Sequence, residues 1–186
     1  MILFVFPLRP ENPFPVALKK GVVEMFNNSG FLLTGMGFGG AEILKQTLES
    51  GIKIEHIVEF GGAANISSSE KGKIHEITEL FSFDGTFIKR RNQITPLPAC
   101  AITGGDFIYE EGMAPEWLNS LDKPLLFSME TLFFDKVAEE FKIPISTIRI
   151  VTDNGIGDIK AQFIETLEQS RGKIKETLSR LTVRFY

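Results

Sequence analysis

The sequence predicts an α/β domain with a largely parallel sheet, on three observations. Short continuous apolar runs, the mark of strands buried on both faces, recur along the chain. Amphipathic stretches at helical spacing fall between them. Glycines and carboxylates gather directly after the apolar runs, where ligands of such sheets bind.

Taken in order, Ile2–Phe6 is the first strand, Phe31–Leu33 the second and Ile54–Phe60 the third. Lys73–Leu80 alternates less regularly and is expected to be a more exposed strand. Ala99–Ile102, Pro124–Phe127 and Ser146–Val151 complete the set. A short helix is expected over Pro13–Lys20. Ala41–Glu49 places Ile43, Leu44 and Leu48 on one helical face. Thr131–Phe141 does the same with Leu132, Phe133, Val137 and Ala138, and stops before Pro144. Ile159–Leu181 is long and amphipathic, with Gly172 a point of interruption. Phe87–Pro98 is expected to be a loop or an irregular edge.

Composition narrows the function. The 186 residues are 43% hydrophobic and 24% charged, which excludes a collagen-like or low-complexity chain. Twenty Lys plus Arg against twenty-four Asp plus Glu give a formal charge of −4, so nucleic acid is not an expected partner. One cysteine, Cys100, and two histidines, His56 and His75, offer no disulfide and no Cys/His metal cluster. No apolar run approaches the roughly 20 residues that span a bilayer. Met-Ile-Leu-Phe-Val-Phe lacks the basic flank of a signal peptide. Residues 1–186 are therefore expected to form one cytoplasmic domain that needs no membrane, metal or cofactor.

Gly35-Met36-Gly37-Phe38-Gly39-Gly40 fits the G-x-G-x-x-G turn, in which backbone amides at a helix N-terminus meet a pyrophosphate. Glu55 and Glu59 follow at about the spacing of a ribose-binding acid, roughly 20 residues on. The turn follows the second strand rather than the first, however, and leaves the glycines at 61–62 unexplained.

The ordered set of loops resembles the purine nucleoside phosphorylase and methylthioadenosine/S-adenosylhomocysteine nucleosidase superfamily. Thr34-Gly35-Met36-Gly37 is similar to its "(S/T)G(M/I)G" turn, and Gly61-Gly62-Ala63-Ala64 to its "G(S/T)AG" turn. Gly72-Lys73-Ile74 resembles "GD(I/V)", and Thr103-Gly104-Gly105-Asp106-Phe107-Ile108 the "SGDxFI" segment of the nucleosidase branch. Met129-Glu130 resembles "MEa", and Arg149-Ile150-Val151-Thr152-Asp153 resembles "RxiSD". The resemblance implies a three-layer α/β/α, phosphorylase/hydrolase-like fold with a mixed, largely parallel sheet, and cleavage of an N-ribosidic bond in a purine nucleoside. It implies that Asp153 protonates the departing base and that Glu11 activates water. Phe107 would stack on the base beside Ile108, and Met129 and Glu130 would hold the ribose. Gly62, Ala63 and Thr152 would line the same pocket. The resemblance also implies a homodimer or larger homo-oligomer.

The chemistry is consistent with two carboxyl groups in different protonation states. A purine leaves badly as an anion, so an acid must deliver a proton while a carboxylate removes one from water. Each transfer is typically worth ~10²–10⁴ in rate. Asp153 must then hold a proton at neutrality, which burial or hydrogen bonding of the neutral form would favour. Asp153-Asn154-Gly155 also reads simply as a turn.

Three alternatives stay open. A phosphorylase would need a phosphate pocket, for which Arg9 and then Arg90 or Arg91 are the candidates. A futalosine hydrolase or a noncatalytic nucleoside binder would carry the same loops. Gly62, Lys73 and Ser128 depart from the Ser/Thr, Asp and acidic residue usual at those places.

Overall fold

A computed structural model describes residues 1–67 and 69–184. All nine strands belong to one mixed sheet. Strand β1 (Ile2–Phe6) lies between β3 (Ser29–Leu33) and β4 (His56–Asn65), parallel to both. Alternation along β1 fixes the layers. Ile2, Phe4 and Phe6 join a cluster completed by Phe31, Phe60 and the α3 residues Leu167, Ile174 and Leu178. Leu3 and Val5 face the other way, into a cluster with Leu44 of α1 and Phe134 of α2. Helices α1 (Gly37–Glu49) and α2 (Thr131–Glu140) thus cover one face, and α3 (Ile159–Arg184) covers the other. The result is the expected three-layer α/β/α arrangement.

Beyond β1 the sheet closes on itself. β4 pairs in parallel with β9 (Ile145–Asp153), and β9 runs antiparallel to β5 (Ile74–Phe81). β5 is parallel to β7 (Ala99–Gly104), β7 to β8 (Leu125–Ser128), and β8 returns antiparallel to the end of β4 through Ala64 and Asn65. The ring β4–β9–β5–β7–β8 brings the last residues of β4, β8 and β9 together.

Several expectations are corrected. The segment 13–20 is not helical; two prolines and the Asn12 side chain, which accepts from the Phe14 amide at 3.0 Å, hold it irregular. β5 is buried, not exposed, because β7 and β9 flank it. β4 runs on through the residues expected to form a glycine loop at 61–65. The irregular edge expected over 87–98 is found at Phe87–Arg90, which forms β6, antiparallel to β5 with a shift of register between Leu80 and Phe81. β2 (Val23–Phe26) was not anticipated; Asn27 and Asn28, at φ 47° and 62°, make the tight turn that pairs it with β3. α1 begins at Gly37 rather than Ala41, and α3 passes through Gly172 unbroken. Among the described residues no helix is long and apolar enough to cross a membrane.

Candidate active site

The carboxyl ends of β1, β8 and β9 carry Glu11, Glu130 and Asp153, each in or after the last residue of its strand. Glu11 follows β1 in a 3-10 turn, Arg9–Glu11, and is 3% exposed. Its Oε1 accepts from the Gly62 amide at 2.9 Å and its Oε2 from the Leu8 amide at 2.6 Å. Burial, with the negative Glu130 nearby, pushes its carboxyl up to about 8, against the pull of the two amides and Arg149.

Glu130 sits where β8 hands over to α2. Ser128, the departure from the acidic residue, accepts from the Glu130 and Thr131 amides at 3.2 and 3.3 Å, as an N-terminal helix cap does. The same hydroxyl donates to Glu130 Oε2 at 2.9 Å. Glu130 Oε1 accepts from the Gly37 amide at 3.3 Å. Burial raises its proton affinity, while Arg149, 3.7 Å away, opposes that.

This contact also settles the G-x-G-x-x-G turn. The first amides of α1 point at carboxylates of the chain itself, Glu130 and, from Phe38 at 3.4 Å, Asp106.

Asp153 ends β9 opposite Ala64 and is 7% exposed. Its Oδ1 accepts from the Gly155 amide at 3.0 Å, and the Thr152 hydroxyl lies 2.9 Å from its Oδ2. That hydroxyl also lies 3.3 Å from the Ala63 carbonyl. Gly62 has room for nothing larger: a Cβ there would meet the Phe163 ring of α3 at 2.6 Å and the Thr152 methyl at 2.9 Å. A Ser or Thr at this position would require the Phe163 ring and the Thr152 methyl to shift.

The remaining predicted residues divide. Phe107 is half-buried, with ring centroids 5.2 Å from Phe83 and 4.9 Å from Phe127, and Met129 packs on the same aromatic cluster. Ala63 is buried in β4. Ile108 is 58% exposed, and Arg9 is exposed on its turn. Arg90 and Arg91 are engaged elsewhere, by Glu79 and Asp135. Two cavities are found among the described residues: one of about 500 Å³ beside Ile66, Leu121 and Lys123, and one of about 550 Å³ beside His56, Arg91 and Asp135; Glu11, Glu130 and Asp153 line neither. Among the described residues no group of three or more His, Cys, Asp or Glu side chains is arranged to hold a metal ion.

Two further residues belong to the site. Arg149 and Glu59 are wholly buried and paired to each other; Arg149 also donates to Thr131 Oγ1 at 2.7 Å and to the Gly62 carbonyl at 3.4 Å. The sequence did carry a signal for them. Arg149 is a lone charge inside an apolar run, and Glu59 lies between Val58 and Phe60; a buried charge needs an opposite partner.

No protein-family model and no curated protein matches the chain. Solved structures do. Futalosine hydrolase of Helicobacter pylori superposes with a TM-score of 0.78 at 15% identity, covering 98% of both chains. The 5'-methylthioadenosine/S-adenosylhomocysteine nucleosidase of the same organism gives 0.79 at 17%, covering 98% of this chain and 97% of that one. The 5'-methylthioadenosine nucleosidase of Arabidopsis thaliana gives 0.71 at 16%, covering 99% and 94%. The chain is built on the fold that these nucleosidases and futalosine hydrolase share.

Proposed function

We propose that the protein is a hydrolase cleaving the N-ribosidic bond of a purine nucleoside, with 5'-methylthioadenosine, S-adenosylhomocysteine and futalosine as first substrates. The observation that carries this reading is the burial of three carboxyl groups along the last residues of β4 in a sheet of nucleosidase fold: Glu11 on the Gly62 amide, Glu130 facing Glu11, and Asp153 opposite Ala64.

Glu11 takes a proton from water as the water attacks the anomeric carbon. A carboxyl with its affinity near 8 is a far stronger base than an exposed glutamate. Asp153 gives a proton to the purine as the glycosidic bond breaks. The Thr152 hydroxyl, donating to Oδ2, and the Gly155 amide, donating to Oδ1, hold this carboxyl in place. Glu130 accepts from ribose hydroxyls, with Met129 alongside, and Phe107 lends its ring to the base. Gly62 and Ala63 supply the wall of the pocket.

Hydrolysis is favoured over phosphorolysis because Arg90 and Arg91 are already salt-bridged and Arg9 stands alone on its turn. Met36 and Phe38, on the turn opening α1, are exposed beside the Asp106–Ile108 segment. A second copy of the chain covering this rim belongs to the same reading, and light scattering tests it. A cytoplasmic setting, with nucleosides at hand, is part of the proposal.

The deciding experiment incubates the chain with a nucleoside panel, with and without phosphate, and follows free base by chromatography. Base release that ignores phosphate is the expected result. Release only with phosphate makes it a phosphorylase, and binding without release makes it a noncatalytic binder.

A further inference from the structure

We propose that Glu59 is a positioning residue of this site: it holds the Arg149 guanidinium in place and neutralises it beside Gly61 and Gly62, so that Glu11 and Glu130 keep their freedom to act. The proposal rests on the hydrolase reading above and adds to it a residue in the middle of β4.

The geometry makes Glu59 the hub of a buried chain of polar groups. Its Oε1 is paired with Arg149 Nη2 and accepts from Thr131 Oγ1 at 3.2 Å. Its Oε2 accepts from Thr147 Oγ1 at 2.8 Å, and Thr147 in turn accepts from Arg91 Nη1 at 2.8 Å. Glu59 is thus held from β9 and from the start of α2. On the site side, Thr131 Oγ1 lies 3.2 Å from Ser128 Oγ, which donates to Glu130. The guanidinium spans the gap. Its Nη2 is 3.7 Å from Glu130, and its Nη1 is 3.4 Å from the carbonyl of Gly62, whose amide holds Glu11. A Cβ on Gly61 would fall against that Nη1 and lie 3.0 Å from Glu11 Oε1, so the glycine is what lets the two groups approach.

A buried cation takes the nearest anion. Without Glu59, the nearest anions to Arg149 are Glu130 and Glu11, and binding them would spoil both: a base becomes weaker as its proton affinity falls, and a ribose-binding carboxylate becomes occupied. The charged groups facing Glu11 are Glu130, from the β8–α2 junction, and Arg149, from β9; α3 presents the uncharged Phe163 beside Gly62.

The test uses the full chain in three forms: wild type, Glu59→Gln, and Glu59→Gln with Arg149→Met. The carboxyl carbon signal of Glu11, assigned by its loss in Glu11→Gln, is titrated by NMR, and kcat and KM for base release are measured across pH. Glu59→Gln is expected to move the Glu11 midpoint down by about one pH unit. The acidic limb of kcat/KM should move with it, and KM should rise several-fold. The double variant, which removes both partners of the buried pair, is expected to return the midpoint to the wild-type value or above it. A midpoint unmoved by Glu59→Gln overturns the proposal, as does a double variant titrating as low as the single one. If Glu59→Gln does not fold, the double variant decides, and a midpoint below that of wild type overturns the proposal. Should the wild type release no base from any nucleoside, the hydrolase reading falls while the titration still judges Glu59.

Discussion

At the β5–β6 edge, the buried Glu79 touches Arg90 at 2.6 Å and Lys123 at 2.9 Å, and nearby Asp135 touches Lys89 at 2.8 Å as well as Arg91. At the carboxyl end of β1, the equally buried Glu11 is held by two backbone amides and faces another carboxylate. Burial works to raise Glu79 as well, but its two cations outweigh that and hold it below the ordinary glutamate range. Glu11 makes no ion pair of that kind; burial and Glu130 outweigh the pull of Arg149, and its proton affinity climbs. Carboxylates matched by cations stay charged and brace the fold. One held mainly by backbone dipoles, beside another carboxylate, can exchange a proton near neutrality, which is what acid–base chemistry needs.

The contrast can be broken most directly by removing the proton acceptor. Glu11→Gln should cut base release by ~10²–10⁴-fold and Asp153→Asn by at least ~10²-fold, the scale of a lost proton transfer. Glu79→Gln, at the cation-matched edge, should leave release little changed. A wild-type rate in Asp153→Asn would remove the acid from the mechanism.

Stability sharpens the same contrast. Arg149→Met leaves Glu59 buried and alone, and should cost about 3–5 kcal/mol in chemical denaturation. Deleting the Lys45–Glu140 pair at the surface should shift the denaturation midpoint far less, because water screens it.

Acidity gives two effects of opposite sign. Glu11 binds its proton more tightly in the folded chain, at about 8 against 4.5, so folding takes up a proton between those values. Its contribution is present at low pH and lost as pH rises through about 8, and Glu11→Gln should flatten that slope. Activity should run the other way, with kcat/KM rising as Glu11 ionises toward pH 8. His56 is held down to about 4 from 6.5 by burial and by Arg91. Its contribution is lost as pH falls through that window, and His56→Gln should give the smaller change, seen as improved tolerance of mild acid in thermal melts.

Strands β1, β7 and β8 and helix α2 were legible because apolar runs and helical spacing are local signals. Glu130 and Asp153 were legible for a different reason, since the loops around them resemble a known set. The helix expected over 13–20 failed because a side chain, Asn12, satisfied the backbone there instead. Strand β2 was missed although Asn27-Asn28 is a turn signal that could have revealed it. The exposure expected of β5 was wrong because alternation along one strand does not tell which neighbours will flank it.

Sequence alone determined the α/β class, the helix and strand alternation and the carboxylates at strand ends, because periodicity and residue chemistry are written along the chain. Only the tertiary structure decided that β4, β9, β5, β7 and β8 close into a ring, that Phe163 and Thr152 crowd Gly62, and that Glu59 neutralises Arg149 next to Glu11. Those outcomes depend on groups brought together from distant parts of the chain. A proton affinity belongs to that shared surrounding rather than to the residue that carries it.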